Sequence, residues 1–202
     1  MDSVLEKYAS LLRQNNIESL TLKSQEWFLG LLNSNQLDIG NKNRPNVLND
    51  PFTKKVSRPR IGKMYTFMYD AKTKDVLPYW DKFPLIILAD IPEDAKGFFG
   101  LNLHYLQPEQ RAIFFRKLAN LYSSGDLMNE NTKIRISYEI LKSIKTLRAF
   151  RPMFKRYLPK QVKTPIVEIP PAYWETALFL PTQRFVGASQ NKVWADSRKQ
   201  LR

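Results

Sequence analysis

The spacing of apolar positions changes along the chain, and each change marks a different predicted element. At residues 1–15 and 23–33 they recur every three or four residues, which predicts two amphipathic helices. Ser3 and Glu6 are predicted to form a capping box for the first helix, and Ser24 is predicted to be the N-cap of the second. Short apolar helices of this kind must pack on the main body or on a partner.

Short apolar runs and strict alternation dominate the middle and the end of the chain. Residues 64–69, 83–91 and 97–105 predict three strands, and residues 165–169 and 177–180 predict two more. Polar turn residues separate these runs, as expected for strands joined by turns.

Helical spacing returns between the two groups of strands. Pro108 suits the first position of one helix, and residues 132–148 predict another. This order differs from an alternating βαβ series, so we expect an α+β fold. The expected architecture is a small twisted, β-barrel-like (SH3-like) core with flanking helices and an N-terminal helical arm.

Composition divides the chain into three parts. Residues 1–39 are the helical arm, and residues 40–62 are expected to be a basic linker because Asn, Gly, Pro and Lys are frequent there. Residues 63–202 form the α+β core, which includes a basic helical segment at 133–163.

The charge of +13 is concentrated in two segments. Residues 40–63 hold seven basic and one acidic side chain, and residues 133–163 hold ten and one. Such clustering indicates a polyanionic partner, although a solvated charged face or an acidic protein surface remain alternatives. The candidate DNA-binding residues are Arg58, Arg60, Lys63, Lys133, Arg135, Lys142, Lys145, Arg148, Arg151, Lys155, Arg156, Lys160 and Lys163.

Other chemistry finds little support in the sequence. The chain has no cysteine and a single histidine, His104, which excludes thiolate chemistry and cysteine zinc sites. We expect His104 to be structural. Asp70 and Asp94 each precede a lysine by two residues, which leaves a metal-dependent nuclease as a weak alternative. No catalytic residue, metal, cofactor, small-molecule substrate or membrane contact is predicted.

Several aromatic residues in the predicted strands allow two interpretations. They could stack on unpaired bases, or they could form the core of the small barrel, which we favour. These residues are Tyr65, Phe67, Tyr69, Tyr79 and Trp80.

The middle of the chain resembles a family of small virion proteins of T4-like tailed bacteriophages, the DNA end protector proteins. The resemblance rests mainly on Gly62–Lys74, Leu77–Leu85 and Gly100–Leu106, with support from Phe150–Pro152 and Ala177–Pro181. It implies a protein that binds the ends of linear packaged DNA and shields them from host exonuclease. It also implies a non-enzymatic role in the virion, and in the host cytoplasm after synthesis or injection.

The sequence therefore predicts sequence-independent binding of double-stranded DNA by a phage protein. The alternative is a neck, tail or baseplate connector that contacts other virion proteins. In that case Trp27, Phe28 and Leu31 of the arm would be the docking residues.

Overall fold

The computed structural model describes residues 3–37, 40–93, 96–114 and 148–200. The strands are β1 Lys54–Val56, β2 Met64–Thr66, β3 Trp80–Asp81, β4 Leu85–Asp90, β5 Phe98–Asn102, β6 Phe154–Tyr157, β7 Ile166–Ile169 and β8 Phe185–Val186. Six of them form a central antiparallel sheet in the order β1-β7-β2-β4-β5-β6, and β3 and β8 pair separately.

Helices and short 3₁₀ turns surround the sheet. The helices are α1 Val4–Gln14, α2 Leu22–Asn33, α3 Gly40–Leu48, α4 Trp174–Phe179 and α5 Gln190–Gln200, and residues 108–114 are also helical. The 3₁₀ turns are Leu103–Tyr105, Arg148–Met153, Pro159–Gln161 and Pro171–Tyr173. No helix in the described ranges is both long enough and apolar enough to cross a bilayer.

The N-terminal helices begin close to where the sequence predicts. Ser3 caps α1 as predicted, since its hydroxyl accepts a hydrogen bond from the backbone N–H of Glu6 at 2.9 Å. The predicted capping box is incomplete, because the Glu6 carboxylate accepts from the Ser10 and Tyr173 hydroxyls instead of the Ser3 backbone N–H. The predicted cap of α2 is wrong, because Thr21 is the N-cap and Ser24 lies three residues later. Thr21 has the extended backbone that an N-cap needs, and the two side chains satisfy each other's backbone N–H groups.

The two faces of the sheet carry separate hydrophobic clusters. Met64, Ile87 and Leu101 belong to the larger cluster, which includes the apolar faces of α1, α2 and α4. The opposite face carries Tyr65 and Phe67 in a smaller cluster rich in aromatic rings. Successive side chains of β2 thus enter different cores, as the two-residue period of a strand requires.

Several predicted elements differ from the structure. The segment at 133–163 was expected to be helical, but in its described part residues 154–157 form β6 between two 3₁₀ turns. Residues 177–180 were expected to form a strand but belong to α4 and its C-cap, because a short apolar run does not separate a buried helix from a buried strand. The expected linker contains α3 and β1. The strand predicted to reach Tyr105 ends at Asn102, where the Asn102 side chain caps a 3₁₀ turn.

The described strands form an α+β fold with an open sheet. β1 and β6 lie at opposite edges and do not pair, so the described strands give no closed barrel. The SH3-like expectation therefore lacks confirmation. The division into arm, linker and core stays a prediction.

Two glycines offer a matched test of the fold. Gly187 has a φ of +89°, and a Cβ there would lie 2.7 Å from the backbone oxygen of Pro78, whereas a Cβ on Gly30 of α2 meets nothing within 4 Å. Gly187→Ala is expected to destabilise the protein by about 1–3 kcal/mol, because it combines left-handed strain with a backbone clash. Gly30→Ala is expected to stabilise it by about 0.5–1 kcal/mol. Urea unfolding measures the stability of both variants, and equal changes would contradict the different roles of these two glycines.

Candidate nucleic-acid interface

A cleft of about 400 Å³ lies at the β1 edge of the sheet. Its charged lining residues are Lys54, Lys55, Arg58, Arg60, Lys63 and Glu168. The first four are exposed to solvent and Lys63 is half-buried. Five cationic groups around one carboxylate give the cleft a positive potential, which attracts a polyanion such as a phosphate backbone. We call these residues the basic cleft.

The pairing of β1 with β7 builds one wall of the basic cleft. Lys54 lies opposite Glu168, and Val56 lies opposite Ile166. Val56 packs against the smaller aromatic cluster, which anchors a strand of only three residues. Charged residues on an edge strand also prevent pairing with other chains, and that simpler role accounts for Lys54 and Lys55 without any DNA.

The loop from residue 57 to residue 63 is fastened to the sheet through Tyr65. The Tyr65 hydroxyl accepts a hydrogen bond from the Arg60 backbone N–H at 2.8 Å. Burial raises the pKa of Tyr65 to about 12, so the phenol keeps its proton at neutral pH. At the end of the loop, the Gly62 N–H donates to the Leu88 carbonyl at 2.8 Å. The backbone that carries Arg58 and Arg60 is therefore held in place before any ligand binds.

Glu168 is the single carboxylate in the lining of the basic cleft. Lys63 Nζ lies 3.9 Å from it, and the Tyr65 hydroxyl lies 3.5 Å from it. Both distances are long for hydrogen bonds, so Glu168 balances part of the positive charge without engaging the Lys63 ammonium or the Tyr65 hydroxyl closely.

The structure brings together only part of the predicted DNA-binding set. Arg58, Arg60 and Lys63 meet in the basic cleft. Lys155 and Arg156 lie on β6, the opposite edge strand. The described part of the molecule does not include Lys133, Arg135, Lys142 and Lys145, nor the side chain of Arg148. Arg151, Lys160 and Lys163 are exposed.

Lys54 and Lys55 were counted in the basic segment but were not selected as site residues. Their charge is the one feature of the sequence that could have indicated a role in the cleft. Nothing local shows that β1 will pair with a strand more than 100 residues later. Arg44, from the same segment, has a structural role. Its guanidinium donates to the carbonyls of Thr182 and Gln183 at 2.7 Å each.

A second pocket, of about 360 Å³, lies beside β6. Lys72, Lys155 and Arg156 line it together with aromatic rings that include Tyr79 and Trp80. We call it the aromatic pocket. Of the five aromatic residues with two interpretations, Tyr65, Phe67 and Tyr69 are buried in the core, as favoured. Tyr79 and Trp80 are only half-buried.

His104 is fully buried, in agreement with the expected structural role. Its Nδ1 lies 2.7 Å from the Asp81 carboxylate and its Nε2 lies 3.3 Å from the Thr182 hydroxyl. Burial lowers the pKa of His104 and outweighs the effect of Asp81. A neutral imidazole that donates from Nδ1 and accepts at Nε2 satisfies both partners.

Asp81 is the charged centre of this buried network. Its carboxylate accepts hydrogen bonds from the backbone N–H groups of Phe83 and Arg184 and from the Asn102 side chain. Burial raises its pKa, but the His104 imidazole and the backbone donors outweigh burial and hold the pKa below its usual value. The network ties β3 to β5 and to the segment before β8.

The predicted docking residues of the arm require a correction. Phe28 is fully buried and stacks on Phe179 of α4, with ring centroids 5.0 Å apart. It is therefore unavailable to a partner, because its apolar surface completes the main core. Trp27 and Leu31 are half-buried against the same cluster.

The nuclease alternative gains no geometric support in the described ranges. No group of three or more His, Cys, Asp or Glu side chains with metal-ligand spacing occurs there. The half-exposed Asp70 carboxylate lies 3.5 Å from Nζ of Lys74, four residues later, so it forms a surface ion pair. Asp94 lies outside the described residues.

The basic cleft at the β1 edge, and the basic and aromatic side chains beside β6 at the opposite edge, are features expected of the class of proteins that bind nucleic acids. The model of the family described as phage T4 terminal DNA protecting protein matches residues 13–199. The chain belongs to this family, which confirms the resemblance seen in the sequence. No curated protein matches the chain, and no solved structure does.

Proposed function

We propose that this protein binds the ends of linear double-stranded phage DNA and shields them from exonuclease. The family supports end protection by a phage protein. The basic cleft carries the proposal, because five cations on a fixed backbone suit a phosphate backbone. Phosphate contacts do not read bases, so binding is expected to be independent of sequence.

The basic segment at 133–163 is proposed as a further phosphate-binding surface. Its charge supports this role, with ten basic side chains and one acidic. The described end of the segment presents Arg151, Arg156, Lys160 and Lys163 to solvent. Two separated basic surfaces would contact more phosphates than the cleft alone, and this would make the affinity strongly salt-dependent.

The proposed place of action is the virion, and the host cytoplasm after synthesis or injection. Other virion proteins are proposed partners, as a protein packaged with the DNA would require. The connector alternative has less support, because Phe28, one of its three proposed docking residues, is buried.

An exonuclease protection assay tests the proposed function. Linear duplex DNA is incubated with the protein and then with an exonuclease that degrades from duplex ends. We expect full-length DNA to survive, and we expect unlabelled linear DNA to compete better than covalently closed circles of the same length. Degradation at the unprotected rate, or equal competition by the circles, contradicts end protection.

A further inference from the structure

The aromatic pocket combines three cations with a lining of aromatic rings. Lys72 comes from the loop after β2, and Lys155 and Arg156 come from β6. Asp81 also contributes to the lining, but it is 3% exposed and committed to its buried hydrogen bonds. The pocket therefore offers positive charge and ring surfaces, with its carboxylate already engaged.

Lys155 is the most unusual of these cations. Its Nζ lies 4.0 Å above the centre of the Tyr105 ring, and no carboxylate of the described residues forms an ion pair with it. Burial lowers its pKa to about 8, so most of the population is charged at neutral pH. A charged amine that is mostly removed from water, and has no ion-pair partner in the described part of the chain, is well placed to bind an anionic ligand.

The rings of Tyr79 and Trp80 complete the recognition surface. Both are half-buried, so each leaves part of its surface open. The indole N–H of Trp80 is buried and has no hydrogen-bond partner among the described residues, so the part of this side chain that a ligand can contact is its ring surface. A volume of about 360 Å³ lies within the range of small-ligand pockets.

We propose that the aromatic pocket receives the unstacked terminal nucleotide of a DNA end. The base would stack on the aromatic lining, and its phosphate would bind Lys155, with Lys72 and Arg156 nearby. This inference rests on the proposed function and deepens it, because phosphate contacts in the basic cleft cannot distinguish an end from the interior of a duplex. A terminal nucleotide has one stacking neighbour, so it leaves the helix more easily than an internal one.

Binding of three matched duplexes to the full chain tests the pocket. One has blunt ends, one has two unpaired nucleotides at one end, and one has both ends closed by a hexaethylene glycol linker that carries no bases. We expect the wild type to bind the frayed duplex about tenfold more tightly than the closed duplex. Lys155→Met is expected to bring this ratio close to one while retaining the aliphatic stem.

Two further variants keep the test independent of folding. Lys72→Ala changes an exposed loop residue and is expected to lower the same ratio. Lys23→Met removes an equal charge from the exposed side of α2, outside the pocket lining, and is expected to leave the ratio unchanged. A ratio retained in both pocket variants, or lost equally in Lys23→Met, overturns the inference.

Photocrosslinking gives a direct readout on the wild-type protein. A 5-iododeoxyuridine at the terminal position is expected to crosslink to Tyr79 or Trp80, and the same base placed internally is not. Crosslinks that map elsewhere overturn the pocket while the proposed function stands. Failure of the wild type to bind any of the three duplexes overturns both together.

Discussion

Alanine at Lys54, Arg58 and Arg60 is expected to weaken binding of linear duplex DNA at least about tenfold at low salt. All three side chains are exposed in the basic cleft, so their loss removes phosphate contacts without disturbing the core. If each contacts one phosphate, the slope of log affinity against log salt should become shallower by about 2.7. Titrations between about 50 and 200 mM salt measure both quantities.

A triple variant of equal charge provides the control for the cleft. Lys23→Ala, Lys74→Ala and Lys199→Ala also remove three exposed cations, but none of them lines the basic cleft. Because Lys74 pairs with Asp70 on the surface, its loss should cost little stability. We expect the control to keep most of the affinity and the salt slope. Equal losses in the two triple variants would show that net charge, rather than the cleft, determines binding.

Replacing Asp81 with alanine is expected to lower the free energy of unfolding by about 3–5 kcal/mol. The change leaves buried donors without their acceptor, including the His104 imidazole and the Asn102 amide. This is a large share of the roughly 5–15 kcal/mol that holds a typical protein folded. Asp70→Ala is the control, since Asp70 is a half-exposed aspartate with a surface ion pair, and it should change stability by less than about 0.5 kcal/mol. Urea unfolding measures both variants, and similar losses would contradict the role of Asp81.

The same network predicts how stability depends on pH. Because burial lowers the pKa of His104, the unfolded chain binds a proton at a higher pH than the folded protein does. Stability should therefore decline as pH falls below about 6.5, the usual pKa of histidine. Asp81, whose pKa is also lowered, should add a further decline at more acidic pH, below its usual value of 3.8.

A His104→Gln variant isolates the contribution of the imidazole. Burial raises the pKa of Glu175, so the folded protein binds this proton at a higher pH than the unfolded chain does. Glu175 therefore adds stability as the pH falls towards the usual glutamate range, which opposes the loss due to His104. The wild-type stability curve alone contains both contributions. The difference in unfolding free energy between wild type and His104→Gln should shrink from pH 8 to pH 5. A constant difference would show that His104 does not titrate on unfolding over this range.

Local patterns were sufficient to predict the N-terminal helices, four of the eight described strands (β2, β4, β5 and β7) and the concentration of charge. The first helix needs only its apolar spacing and the cap at Ser3, both of which are local to residues 3–14. Residues 177–180 were misassigned, because a short buried run has the same composition in a helix and in a strand. The resemblance to the DNA protecting family likewise depends on sequence alone, and the family-model match confirms it.

The assembly of the candidate site depended on contacts between distant parts of the chain. β1 becomes a wall of the basic cleft because it pairs with β7, which brings Lys54 opposite Glu168, 114 positions later in the printed numbering. Charge counting shows that cations are near one another in sequence, but it does not show which of them share a surface. Arg44 and Arg58 belong to the same basic segment, yet Arg44 binds backbone carbonyls and Arg58 faces solvent.

The aromatic residues also separate what the sequence determines from what the tertiary structure determines, here for single side chains. The sequence established a group of rings in and around the strands, with two possible roles. The tertiary structure decided that Tyr65 and Phe67 fill a core and that Tyr79 and Trp80 line a pocket. The physical reason is that burial depends on what packs over each face of the sheet, and loops and strands distant in sequence provide that covering layer.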